Sequence, residues 1–145
     1  MREGRACCSG ARQMVGETDL DKLLMLLQPS LVEGEFVFCT VDPVPWGNLE
    51  SLNPVACYQE AEGLSLLLRR SSADAAGMAY DLVCRAITLS VHSSLDAVGL
   101  TAAVSSKLAG KGIPANVVAA YYHDHVFVPA DRAEEALGLL TDFQS

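Results

Sequence analysis

The chain has little positive charge, few aromatic residues and no long hydrophobic run. Its 145 residues hold 10 Lys and Arg against 18 Asp and Glu, a formal net charge of -8. Such a surface repels phosphate backbones and anionic headgroups, which argues against nucleic acid or membrane as partners. Aromatic residues are only 6%, with Trp46 the one tryptophan, and no stretch approaches the roughly 18 consecutive apolar residues of a membrane helix. The five cysteines are odd in number and lack C-x-x-C spacing, so Cys7, Cys8, Cys39, Cys57 and Cys84 suit neither a disulfide framework nor a zinc site. Reduced thiols are expected, with Cys39 and Cys84 as small buried hydrophobes in strands. Residues 1–14 lack the apolar core of a secretory signal, which favours a cytoplasmic location. A G-x-S-x-G elbow and a phosphate-cradling glycine loop are also missing, so neither catalysis nor a cofactor is expected.

Half of the residues are hydrophobic, enough for a substantial core in one domain or two small ones. Leu20, Leu23, Leu24 and Leu27 follow the spacing of one helical face, with Thr18 or Asp19 as cap and Pro29 as stop. Residues 35–41 read as a strand, followed by a loop over 43–54 in which Trp46 anchors to the core. Residues 57–60 and 64–69 form a hairpin through Glu62 and Gly63, and residues 71–77 a helical turn or loop. The second half reads β-α-β-β-α. Residues 82–91 make a strand with Ile87, Leu89 and Val91 on its buried face.

Ser93 and Asp96 have capping-box spacing, which predicts a helix beginning there. Its buried stripe is read as Leu95, Val98, Gly99, Ala102, Ser106 and Ala109, and its stop as Gly110-Lys111-Gly112. Strands over 115–122 and 125–128 flank a tight turn at His123-Asp124. One of the two rings Tyr121 and Tyr122 is read as core. A last helix is capped by Asp131 and Glu134 and buries Ala133, Ala136, Leu137 and Leu140. This order requires a parallel crossover and a hairpin. The fold class is therefore α+β, a ferredoxin-like βαββα module preceded by a second small α/β half that supplies the missing edge strand unless a partner subunit does. The expected divisions are a tail over 1–17, a first half over 18–78 and a second over 79–145.

The blocks from Arg85 to Leu100 and from Asn116 to Pro129 resemble the signature blocks of small ACT domain-containing proteins. The Leu-rich helix, Pro29, Phe36-Val37-Phe38 and Glu62-Gly63-Leu64 resemble that family's companion domain. The family is related to the arginine-sensing ACT proteins. The resemblance implies tandem ACT halves that bind an amino acid or similar small effector and act on an enzyme or partner protein as an oligomer.

An amino acid's carboxylate needs exposed amide donors, which a helix N-terminus supplies. The turn His92, Ser93, Ser94, Leu95, Asp96 and Val98 is the candidate ligand site. Asp96 or the carbonyls of an exposed strand edge would take the ammonium, and Asn116, Val117 and Val118, on what is read as the adjacent parallel strand, would wall the site. Ser93 and Asp96 acting only as caps is the competing assignment. Two further readings remain. One is a structural interaction module that dimerises through strand edges. The other is a metal site at His92, His123, Asp124 and His125, against which stands a turn role for Asp124, its side chain bonding its own backbone.

Overall fold

A computed structural model of the chain describes residues 19–42, 49–91 and 98–144. The element order is α1 (Leu20–Leu26), β1 (Pro29–Leu31), β2 (Phe36–Val41), β3 (Ala56–Gln59), β4 (Leu64–Arg69), α2 (Arg70–Ala75), β5 (Val83–Leu89), α3 (Leu100–Ala109), β6 (Asn116–Ala119), β7 (Asp124–Pro129) and α4 (Ala133–Thr141). Short 3-10 turns occupy Glu50–Leu52, Ala130–Arg132 and Asp142–Gln144. Asp19 caps α1 through its carboxylate, which accepts from the amides of Asp21 (3.0 Å) and Lys22 (3.3 Å).

The strands form one seven-stranded sheet in the order β3-β4-β2-β5-β7-β6, with β1 also on β5. Every pairing is antiparallel. Thus β5 and β6 run parallel, as the crossover rule requires, but β7 lies between them. The expectation that Asn116 to Val118 stand on the strand next to β5 is therefore corrected: a hairpin partner takes the central place and leaves β6 on the edge.

Strand β5 belongs to both halves of the sheet. On one side β1 pairs with its C-terminal part (Pro29 with Leu89, Leu31 with Ile87), and β2 pairs with its start (Phe36 with Cys84, Val37 with Val83). Between these pairings the four residues 32–35 face only Arg85 and Ala86, so the chain bulges and moves from β1 into β2. The amide of Val32 bonds Ala86 O at 2.9 Å, Arg85 Nη2 donates to Val32 O at 3.1 Å, and Gly34 supplies a φ of +93°. In ferredoxin-like terms, β1 is the fourth strand of the second half, while β5 is at once its first strand and the fourth strand of the first half. The first half of the chain thus supplies the edge that the βαββα reading lacked.

Among the described residues the helices lie on one face. Leu23 and Leu27 of the α1 segment, Leu100, Val104 and Leu108 of α3, and Ala136 and Leu140 of α4 are buried with Ile87, Leu89, Val126 and Val128 of the sheet. On the same face α2 covers a second cluster around Val37, Cys39, Leu66, Leu68 and Ala73. Cys39 and Cys84 are buried as expected, whereas Cys57 is exposed.

Several local readings change. The α3 helix does not run unbroken from Ser93: Val98 and Gly99 are not helical, and Gly99 has a φ of +102°, which a right-handed helix cannot continue. Leu100, Val104 and Leu108 are its buried stripe, while Ala102, Ser106 and Ala109 are exposed. Four-residue spacing of large apolar side chains outweighs a run of small ones, since each buried Leu or Val contributes roughly 1.5–3 kcal/mol. The cap before α4 makes no side-chain hydrogen bond, so Asp131 and Glu134 do not cap it. Instead the chain enters α4 through the 3-10 turn. The β6–β7 turn is centred on Tyr121 and Tyr122, closed by Ala120 N to His123 O at 3.1 Å. Both rings are therefore exposed rather than one being core, and Asp124 is already in β7. Trp46 lies outside the described residues.

Candidate functional site

The helix-free face of the sheet is also apolar. Side chains alternate across a strand, and the set opposite the helices, Phe36, Leu67, Cys84, Ala86 and Phe127, forms a third buried cluster. Phe36 and Phe38 both meet Phe127 edge to face, each at a centroid distance of 5.8 Å. Ala56 of β3 and Val118 of β6, from opposite edges of the sheet, both pack on this cluster. The sheet is thus curled around its helix-free face.

The curl shapes a half-open cavity of about 280 Å³. Phe36, Leu67, Ala86 and Phe127 form its floor, and Val55, Ala56, Val118 and Ala120 its rims. Three polar side chains face it: Arg69, Thr88 and His125. Among the described residues no carboxylate lines it. A second recess of about 180 Å³ continues it past Phe38 and Tyr58, sharing Ala56, Leu67 and Val118.

The polar groups stand at opposite ends. Arg69 pairs with Phe36, which pairs with Cys84, while His125 pairs with Thr88 and with Val118. Cys84 and Thr88 are four residues apart on β5, roughly 13 Å along the strand at about 3.3 Å per residue. The Arg69 guanidinium lies over the Phe36 ring, 5.3 Å from its centroid, and Nη1 donates a long 3.5 Å bond to Glu33 O. The next residue differs: Arg70 pairs with Glu35 at 3.1 Å and approaches Asp74 at 3.8 Å, and donates to Tyr80 Oη at 3.0 Å.

His125 Nδ1 and Thr88 Oγ1 share a hydrogen at 3.0 Å, its direction set by the imidazole tautomer. Burial holds the His125 pKa below the ordinary histidine value, and the neighbouring His123 adds to this against the opposing charge of Asp124. Burial raises the Asp124 carboxyl, against the pull of the two imidazoles. His125 is therefore a neutral hydrogen-bonding group at neutral pH.

Of the residues singled out from the sequence, His92, Ser93, Ser94, Leu95 and Asp96 lie outside the described residues. Val98 is 83% exposed, just ahead of α3. Asn116 is exposed at the start of β6, Val117 packs on the helix side, and Val118 alone of the set lines the cavity. Among the described residues no group of three or more His, Cys, Asp or Glu side chains is placed to hold a metal ion. Sequence reasoning missed Arg69, Thr88 and the paired aromatics. The available signal was apolar residues on both faces of one strand, in Phe36-Val37-Phe38 and Leu66-Leu67-Leu68, which marks a sheet with two apolar faces.

Residues 15–85 and residues 81–142 each match the ACT domain. The two matches overlap over 81–85, at the start of the strand that both halves share. No curated protein matches the chain. A Vibrio cholerae protein of unknown function, described as a possible transport protein, is 46% identical over 87% of this chain and 96% of its own, with a TM-score of 0.80. An Agrobacterium tumefaciens protein is 17% identical over 81% of this chain and 89% of its own, TM-score 0.65. The ligand-free regulatory subunit of aspartate kinase from Thermus thermophilus is 10% identical over 81% and 97%, TM-score 0.56. The last two share the fold. With both halves matched and a close relative spanning most of its length, the chain belongs to the ACT-domain family, as two ACT domains in tandem.

Proposed function

We propose that this chain is a non-catalytic, cytoplasmic regulatory module that binds a small molecule in the cavity on the helix-free face. The observation that carries the reading is that cavity itself: apolar walls with a few convergent polar groups, on a face that no helix covers among the described residues. The neutral His125 and the aromatic floor offer recognition, and among the described residues no metal cluster is assembled there. The ACT membership and the likeness to an aspartate kinase regulatory subunit support a regulatory role. A division into halves at 18–78 and 79–145 belongs to the same reading, as does action through an oligomer or partner protein. Among the described residues no helix is long and apolar enough to cross a membrane.

The turn from His92 to Asp96, with Val98, Asn116, Val117 and Val118, is the rival location for the ligand. A thermal-shift screen against amino acids, carboxylic acids and nucleotides separates the two. The same hits are repeated on Ala86→Leu, which fills the cavity floor, and on Ser94→Ala with Asp96→Ala. Hits lost only in Ala86→Leu support the cavity. Hits lost only in the turn variants move the site there.

A further inference from the structure

Resting on the cavity reading above, we propose that the ligand is a small apolar monocarboxylate without an ammonium group, bound in preference to the α-amino acid of the same side chain. The charge inventory of the cavity is one-sided. Arg69 is its cation, and no carboxylate lines it among the described residues. Arg69 is exposed at one end of the cavity, so an amino acid that docked its carboxylate there would set its ammonium beside a like charge with no lining anion to offset it. A carboxylate meets the opposite situation.

The two adjacent arginines show that Arg69 is the available one. Arg70 is engaged by Glu35, Asp74 and Tyr80. Arg69 has no ion pair among the described residues; it lies over the Phe36 ring and gives one long bond to Glu33 O, which leaves N–H donors free. A planar guanidinium held this way suits a carboxylate in two-point contact. At the other end Thr88 and His125 form a neutral pair that offers hydrogen bonds without charge, so a second carboxylate finds no counter-ion there. The volume of about 280 Å³ matches roughly nine waters at about 30 Å³ each, hence a molecule of roughly ten non-hydrogen atoms, with its aliphatic or aromatic body on Leu67, Ala86 and Phe127.

Isothermal titration of the full chain with matched probes tests this. Isocaproate and hydrocinnamate are leucine and phenylalanine without their ammonium groups, and isocaproamide removes the charge. The expected result is binding of the acids roughly tenfold tighter than of the amino acids, with isocaproamide weaker than isocaproate. Arg69→Gln should weaken the acids by roughly tenfold, and added salt should weaken them further. Equal or tighter binding of leucine or phenylalanine overturns the proposal, as does indifference to Arg69→Gln or no binding by any acid. Val118→Trp, which fills the cavity from an edge strand and spares the floor, keeps the cavity reading separate. Amino-acid binding abolished by Val118→Trp sinks the ligand class and leaves the cavity standing. Binding that persists in both Val118→Trp and Ala86→Leu sinks both.

Discussion

Removal of residues 1–32 should unfold the second half of the protein, although that half carries its own βαββα order. The α1 segment places Leu23 and Leu27, both fully buried, in one cluster with Val104, Leu108, Val126 and Leu140. Loss of a buried leucine side chain costs about 2–5 kcal/mol, so these two alone amount to roughly 4–10 kcal/mol, with Leu20, Leu24 and Leu31 packed beside them. Domains of this size are stable by only about 5–15 kcal/mol. The β1 ladder on β5 is lost as well, which uncovers an edge in the middle of the sheet. Urea unfolding followed by circular dichroism is the assay, with a chain beginning at Thr18 as control. The control should unfold cooperatively and the shorter chain should show no cooperative transition. A shorter chain that unfolds cooperatively with the same urea midpoint and slope as the control would refute the assignment of α1 and β1 to the second core.

Three smaller tests follow from local geometry. Gly63→Ala should destabilise by about 1–3 kcal/mol, because its Cβ would sit 2.6 Å from Val41 O and 3.2 Å from Thr40 Oγ1; an unchanged melting temperature would show that the β3–β4 hairpin shifts freely. Asp19→Ala should cost about 1 kcal/mol through loss of the α1 cap, read as a lower urea midpoint at constant slope. His125 titrates below its ordinary value in the fold, so protonation favours the unfolded chain. Its neutral state carries no penalty above about pH 6.5, and stability is lost as pH falls from there toward the lowered folded value. His125→Gln should flatten that part of the stability profile. Asp124, shifted upward, acts with the opposite sign above the ordinary carboxylate range, where stability falls as pH rises through its folded value.

Much of the architecture was legible because local chemistry is strong where it agrees with packing. The spacing Leu20, Leu23, Leu24, Leu27 and the Asp19 cap announced α1. Glu62-Gly63 announced the β3–β4 hairpin, and the alternation of Ile87 and Leu89 announced the helix-side face of β5, although Cys84 and Ala86 are buried on its other face as well. The α3 stripe was misread because small residues and large apolar ones both recur at helical spacing, and only the packed sheet shows which side faces in. Tyr121 and Tyr122 were misread because a shorter strand places them in the turn.

What the sequence by itself determined is the class of the fold, the order of most of its elements, though not β1, and a net acidic charge, all of which depend on periodicity, turn residues and composition. Tertiary structure decided that β7 separates β5 from β6, that β5 serves both halves, and that Arg69, Thr88 and His125 share a cavity with Phe36 and Phe127. Those residues lie on four strands spread between positions 36 and 127. Burial on both faces leaves a local mark in Phe36-Val37-Phe38 and Leu66-Leu67-Leu68, but strand order and sheet curvature, which bring these residues together, are set by long-range pairing that no one window of sequence contains.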